Sequence, residues 1–113
     1  MDRLTLRVLE FSKTPGFRKI EDGPYSGELF FRDYLQPKFQ EALDKNAILL
    51  VILDGARGYG TSFLEESFGG LARRYGAEIV LQHLEVISDD EPYLADDVKT
   101  YIDEANAEKM VTG

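Results

Sequence analysis

The sequence predicts an α/β domain built on a small mixed four-stranded sheet, with elements in the order β-β-α-β-α-β-α. Three observations support this fold class: residues 3–11 alternate apolar and polar side chains, residues 47–53 are all apolar, and three segments repeat apolar residues at helical spacing. Strands joined through a helix should be parallel, with a right-handed crossover. Because the length suits one folded unit, we expect a single domain over residues 1–113.

The first two strands are expected to form an N-terminal hairpin. The two-residue period of residues 3–11 is typical of a half-buried strand. Thr14-Pro15-Gly16 is a turn signal, and residues 17–20 are predicted to return as a short second strand.

A helix and the central strand follow. Residues 26–44 are predicted to be helical, because apolar side chains recur every four positions, at Phe31, Leu35, Phe39 and Leu43. Pro37 lies inside this pattern and should kink or split the helix near Leu35. Residues 47–53 are apolar on both faces, which favours a central parallel strand covered on both sides.

The last three elements are a helix, a strand and a helix. A helix is predicted over 62–75, ended by Gly76, and a strand over 78–87. Acidic residues and a proline at 89–92 indicate the start of a helix that runs to about residue 107.

Composition limits the possible functions. A net charge of −8 makes nucleic acid a poor partner, because an acidic surface repels phosphate backbones. With no Cys and a single His, thiol catalysis and zinc-thiolate sites are excluded, and we expect no metal and no cofactor. The longest apolar run is far shorter than the ~20 residues that span a bilayer. We therefore expect a cytoplasmic protein with no membrane contact.

Charge is unevenly distributed along the chain. Residues 1–20 carry a local charge of +3, and residues 85–108 carry −8. The acidic stretch is explained either by solubility and helix-start acids or by a basic protein partner.

The Gly69-Gly70 pair and His83 each have a simple structural explanation. Gly69-Gly70 inside a helix predicts close approach of that helix to a neighbouring element. His83 has no second imidazole nearby in the sequence and is expected to be a hydrogen-bonded structural histidine.

The stretch from Asp54 to Glu66 is the candidate functional segment, because ligands and partners bind beyond the carboxyl ends of strands in open α/β sheets. One hypothesis is a ligand loop for a nucleotide, phosphate or other small molecule, formed by Asp54, Gly55, Gly58 and Gly60. Its spacing matches a phosphate loop, but Thr61 stands where that motif has Lys.

Two other hypotheses concern single residues of this stretch. A phospho-accepting Asp54 would need an acidic pair at the end of the first strand, where Glu10 is alone. A strand-end Asp also commonly accepts loop N–H groups. Ser62 and Glu65 have the spacing of a capping box, in which Ser62 would cap the helix that follows.

A fourth hypothesis rests on resemblance to a known family. The segment Thr61-Ser62-Phe63-Leu64-Glu65-Glu66-Ser67-Phe68-Gly69-Gly70, with residues 22–28 and 31–33 upstream, resembles a STAS-like domain family of unknown function. That family is related to the STAS domains of anti-sigma-factor antagonists, which usually carry Asp-Ser-Ser-Gly where this chain reads Gly60-Thr61-Ser62-Phe63.

The resemblance implies a regulated hydroxyl. In the antagonists, a Ser or Thr at the start of the helix after the central strand is phosphorylated by a partner kinase. Ser62 falls at that position, with Thr61 beside it. The resemblance also implies a partner with a histidine-kinase-like ATPase fold.

We therefore expect a non-enzymatic signalling domain that binds a protein partner, because the residues supply no nucleophile–base pair and no complete cofactor loop. The predicted contact residues are Arg57, Tyr59, Glu65 and Glu66, with Tyr59 as an exposed aromatic anchor at the loop tip. The alternative is the small-ligand domain using the Gly55–Gly60 loop. The sequence leaves the oligomeric state open.

Overall fold

The computed structural model describes the backbone of residues 2–112 and the side chains of residues 2–106. Within this part of the chain, three strands form the sheet: β1 (Arg3–Arg7), β2 (Ile48–Ile52) and β3 (Leu84–Ile87). Their order is β1-β2-β3, and both neighbouring pairs are parallel. The α/β class is confirmed, but the predicted mixed four-stranded sheet is wrong.

Five α-helices accompany the sheet: α1 (Gly27–Phe30), α2 (Gln36–Asp44), α3 (Thr61–Tyr75), α4 (Ala77–His83) and α5 (Tyr93–Thr112). A π-helical segment over residues 31–35 joins α1 to α2, and the Gln36 N–H donates to the Phe31 carbonyl across it. The helix predicted over 26–44 is therefore not split near Leu35: its backbone stays helical there and only changes register directly before Pro37. None of the described helices is both long and apolar enough to span a bilayer.

The predicted second strand over residues 17–20 is not formed. After β1 the chain turns through a short 3₁₀ helix at Val8–Glu10, so it leaves the edge of β1 before it could return along it. The carbonyls of Phe17 and Arg18 instead accept the N–H groups of Gly27 and Glu28. The segment is therefore held by the start of α1 and not by the sheet.

The predicted strand over residues 78–87 is correct only in its last four residues. Residues 77–83 form α4, which buries Ala77 and Val80. Since β2 has only five residues, and β3 already pairs with residues 49–52 of it, a ten-residue strand would extend beyond its partner. His83 ends α4, with its Nδ1 2.8 Å from the Ala47 carbonyl oxygen, which confirms a hydrogen-bonded structural histidine.

The core lies on one face of the sheet. Leu6, Leu49 and Val51 are at most 5% exposed on that face, whereas Ile48 and Leu50 on the other face are only half-buried. The prediction that the central strand is covered on both sides is therefore wrong.

The predicted bounds of α3 are confirmed to within one residue, whereas the predicted end of α5 is not. Helix α3 begins one residue earlier than predicted and ends before Gly76, which adopts φ +90°. Helix α5 extends to Thr112, beyond the predicted end near residue 107.

Close packing explains one of the two glycines inside α3. A Cβ on Gly70 would lie 3.1 Å from the Phe31 ring, which is tighter than ordinary contact and confirms the predicted close approach there. A Cβ on Gly69 would make an ordinary contact with the Ala105 Cβ of α5 at 3.5 Å, so close approach does not require glycine at that position.

Candidate functional site

The glycine-rich loop between β2 and α3 is fixed against the segment that follows β1. The Arg57 N–H donates to the Lys13 carbonyl at 2.7 Å, and the Gly60 N–H donates to the Pro15 carbonyl at 3.2 Å. A Cβ on Gly60 would lie 2.5 Å from the Gly16 carbonyl oxygen, so the two backbones approach as closely as they do only because residue 60 is glycine.

Asp54 joins this loop to the one that follows β3. Its carboxylate accepts the Asp90 N–H at 2.7 Å, and the Asp90 carboxylate accepts the Gly55 N–H at 3.3 Å. This confirms the expectation that a strand-end Asp accepts loop N–H groups.

The residues of the predicted ligand loop all lie between β2 and α3. Gly58 is exposed, with φ +68°. The N–H groups of Gly55, Arg57 and Gly60 have protein acceptors, so these donors are not free to surround a phosphate.

Tyr59 is not the exposed anchor predicted from the sequence. Its hydroxyl donates to the Leu53 carbonyl at 2.7 Å, and its ring lies 6.2 Å from that of Phe63. Burial, with a smaller effect from the Asp54 carboxylate, raises the pKa of the Tyr59 hydroxyl well above its usual range. Tyr59 therefore packs against the core and links the loop to the end of the central strand, and it is not an exposed contact residue.

The start of α3 presents two hydroxyl groups. Gly60 is the N-cap and supplies no side-chain bond, so the predicted capping box of Ser62 with Glu65 is wrong. Thr61 is exposed and Ser62 is half-buried, whereas the next residue, Phe63, is fully buried. Phe63 packs 5.4 Å from the ring of Phe30. The bulky Phe63 of this chain is therefore a core residue that leaves the preceding hydroxyls accessible.

The carboxylates of Glu65 and Glu66 are engaged within the chain. Glu65 accepts hydrogen bonds from Arg18 and, at 2.9 Å, from Arg73. Glu66 pairs with Lys19 at 3.1 Å. These ion pairs fasten residues 17–22 to α3, so the two glutamates hold the fold together at this point and are not free contact groups.

These contacts also shift the ionisation of Glu65. Burial alone would raise the pKa of the Glu65 carboxyl, but hydrogen bonds from Arg18 and Arg73 outweigh burial and hold it below its ordinary value.

An open cavity of about 350 Å³ lies beside the glycine-rich loop, lined by Leu9, Phe11, Ser12, Lys13, Thr14 and Tyr25. Leu9 is 41% exposed and Tyr25 is 50% exposed, so apolar surface surrounds the opening. The cavity adjoins the loop through Leu9, since a Cβ on Gly55 would lie 2.8 Å from the Leu9 Cδ2.

The accessible groups around the loop form one candidate site. We call the side chains of Leu9, Lys13, Tyr25, Arg57, Thr61 and Ser62 the loop surface. Within the described side chains, Lys13 and Arg57 make no ion pair, so this surface is locally positive on a chain of net charge −8. Residues 2–106 contain no group of three or more His, Cys, Asp or Glu placed to hold a metal ion.

Sequence reasoning missed the part of the site contributed by the segment after β1. It located Arg57, Thr61 and Ser62, but it assigned Lys13 to a hairpin and gave neither Leu9 nor Tyr25 a role in the site. One signal in the sequence could have shown that this segment lies near α3. The first twenty residues are basic, and Glu65 and Glu66 are acidic, so the two regions were candidates for ion pairing.

Comparison with known proteins gives one match. A family model described as a STAS-like domain of unknown function matches residues 26–94, which include the glycine-rich loop and all of α3. Neither a curated protein nor a solved structure matches the chain.

Proposed function

This chain belongs to the family of STAS-like domains of unknown function, and on that premise we propose that it is a non-enzymatic regulatory domain. It binds a protein partner through the loop surface, and phosphorylation of Ser62 or Thr61 controls that binding. The observation that carries the proposal is the position of the two hydroxyls, accessible at the start of α3 and not used to cap it.

A phosphate at this position would act on charge and not on folding. It would add about two negative charges at the N-terminus of α3, where the helix dipole favours an anion. Lys13 and Arg57, which make no ion pair within the described side chains, carry two positive charges on the same surface. Phosphorylation would therefore bring the loop surface from positive to about neutral, while the buried Phe63 beneath it stays in place.

The local charge also indicates what the partner offers. A partner that meets Lys13 and Arg57 should carry carboxylates, with an apolar patch for Leu9 and Tyr25. The local charge thus favours an acidic contact surface over the basic partner suggested by net charge. Our proposal places this surface on a histidine-kinase-like ATPase domain, the partner class that the family resemblance implies.

Affinity capture tests the proposal. The wild-type chain and two variants, Ser62→Asp and Thr100→Asp, are immobilised and exposed to native lysate, and mass spectrometry quantifies the retained proteins. Thr100 is an exposed hydroxyl residue on α5, so its replacement is the matched control for an added charge.

The proposal predicts an ATPase-domain partner that wild type and Thr100→Asp retain and Ser62→Asp loses. If all three chains retain the same proteins equally, charge at Ser62 does not control binding and the proposal fails.

The cavity beside the loop supports a second candidate function, the binding of a small anionic ligand. Lys13 supplies a cation, Thr14 supplies a hydroxyl, and Leu9 and Tyr25 supply apolar walls. Calorimetry with phosphate, ATP and GTP tests it, with Lys13→Ala as the control variant. Heat released with wild type and lost in Lys13→Ala would support a ligand site, whereas no heat at millimolar ligand would exclude these three ligands.

A further inference from the structure

The sheet has an open face opposite the core. Its residues follow from the strand register: Thr5, Leu50 and Glu85 lie in one row across the sheet, and Arg7, Ile52 and Ile87 lie in the next. Arg3 lies beside Ile48 one row in the other direction. This open face therefore has an apolar centre with charged residues at its two edges.

Within the described residues the apolar centre is only partly covered, since the Arg3–Glu85 ion pair reaches across it from β1 to β3. Leu4, Leu84 and Val86, on the other face of the sheet, pack against the core. Ile48, Leu50, Ile52 and Ile87 are half-buried and do not belong to the core or to the partly buried set that packs on it. Four large apolar side chains adjacent on one sheet face are more than scattered surface residues, and such patches mark interaction sites.

The charges on the two edges are opposite. The β1 edge carries Arg3 and Arg7, and the β3 edge carries Glu85. Arg3 reaches across to Glu85 at 3.5 Å, with both side chains about half-exposed, while Arg7 is exposed and has no ion pair within the described side chains. A face that is basic at one edge, apolar in the middle and acidic at the other edge complements itself.

We propose that the open face binds the same face of a second copy of this chain. A two-fold axis along the direction of β2, between the two sheets, places β1 of each copy over β3 of its partner. The Arg7 side chain of one copy then lies one row from the Glu85 carboxylate of the other, within the reach of an arginine, and the four apolar residues of each copy meet at the centre.

The size of the face sets the expected affinity. Two five-residue strands and the four-residue β3, at usual strand spacing, cover roughly 220 Å² of footprint, which is below the ~800 Å² per partner of a standard interface. We therefore expect a weak, reversible dimer with a dissociation constant on the order of 100 μM. This inference does not depend on the proposed function, since the loop surface is a separate set of residues.

Analytical ultracentrifugation from low to high micromolar concentration tests the proposal. The average mass of the wild-type chain should rise from 12.8 kDa towards twice that value. Leu50→Asp should weaken association about tenfold or more. Ile20→Asp is the matched control, because Ile20 is 44% exposed and lies beside α1, away from the open face. It should associate like wild type.

Charge-inverted variants test whether the charges at the two edges, and not only the apolar centre, hold the two copies together. Glu85→Arg leaves only basic charges on the face and should abolish association. The triple variant Arg3→Glu, Arg7→Glu, Glu85→Arg reverses both edges and should restore association. Circular dichroism confirms that each variant folds. A wild-type chain that stays monomeric, a dimer unaffected by Leu50→Asp, or a triple variant no better than Glu85→Arg would overturn the proposal.

Discussion

Gly27 is a position at which a single added methyl group should cost much stability, because the added atom would meet the backbone of another helix. It is the first residue of α1 and lies against the first turn of α3. A Cβ at Gly27 would lie 2.7 Å from the Phe63 carbonyl oxygen and 3.2 Å from the Phe63 Cα. These are backbone atoms of a residue whose side chain is fully buried, so they cannot move aside without shifting the helix.

The contact distance gives the magnitude for Gly27→Ala. Restoring an ordinary carbon–oxygen contact of about 3.3 Å would separate the two helices by about 0.6 Å. Overpacking of this kind costs about 1–3 kcal/mol, and the lower chain entropy of alanine in the unfolded state returns about 0.4–1 kcal/mol. We expect a net loss of about 1–2 kcal/mol, with a melting temperature lower by roughly 4–8 °C.

Urea unfolding followed by circular dichroism measures this loss. Gly16→Ala is the matched control, because a Cβ there meets nothing within 4 Å and the backbone needs no positive φ. The control should match wild type to within about 0.5 kcal/mol. A Gly27→Ala variant as stable as wild type would refute the close approach of α1 to α3.

Three further predictions test the surroundings of the site by urea unfolding. Ser62→Ala should change the free energy of unfolding by less than about 0.5 kcal/mol, because the Ser62 side chain does not cap α3. Ser26→Ala removes the buried N-cap of α1 and should cost about 1 kcal/mol. Equal losses in the two variants would contradict the cap assignment. Tyr59→Phe should cost about 1–2 kcal/mol, because it leaves the Leu53 carbonyl without its donor; an unchanged variant would contradict the buried role of Tyr59. Because the pKa of Glu65 is lower in the folded chain, its stabilisation is complete above the unfolded pKa and is lost as pH falls through the folded pKa. The stability difference between wild type and Glu65→Gln should therefore shrink below about pH 4, and a difference that grows there would contradict the ion-pair network.

Hydrophobic patterns in the sequence correctly predicted the strands and helices whose apolar residues face the core. The alternation over residues 3–11 corresponds to β1 only as far as Arg7, the apolar run over 47–53 corresponds to β2, and the helical repeat over 62–75 corresponds to α3. In α3 most apolar positions are also the buried ones, whereas in β2 only Leu49 and Val51 are buried. The same agreement located Thr61 and Ser62 at the start of α3, directly after the central strand.

The predictions were wrong where the structure of a segment depends on contacts with residues distant in the sequence. Residues 17–20 have the composition of a short strand, but their carbonyls accept N–H groups from the start of α1. Residues 78–83 are apolar enough for a strand, yet β2 is too short to pair with them. The Ser62–Glu65 spacing fits a capping box, but Arg18 and Arg73 are stronger partners for the Glu65 carboxylate. No local pattern specifies such distant partners.

The central claim is that the hydroxyls at the start of α3 are regulated, and mapping phosphate on the chain isolated from its native cells tests it most directly. Trypsin cleaves after Arg57 and Arg73, so one peptide contains Thr61, Ser62 and Ser67. The account predicts phosphate on Ser62 or Thr61 and none on Ser67, which is fully buried and donates its hydroxyl to the Phe63 carbonyl. A peptide unmodified both when the partner is bound and when it is released, or one modified at Ser67, would contradict it.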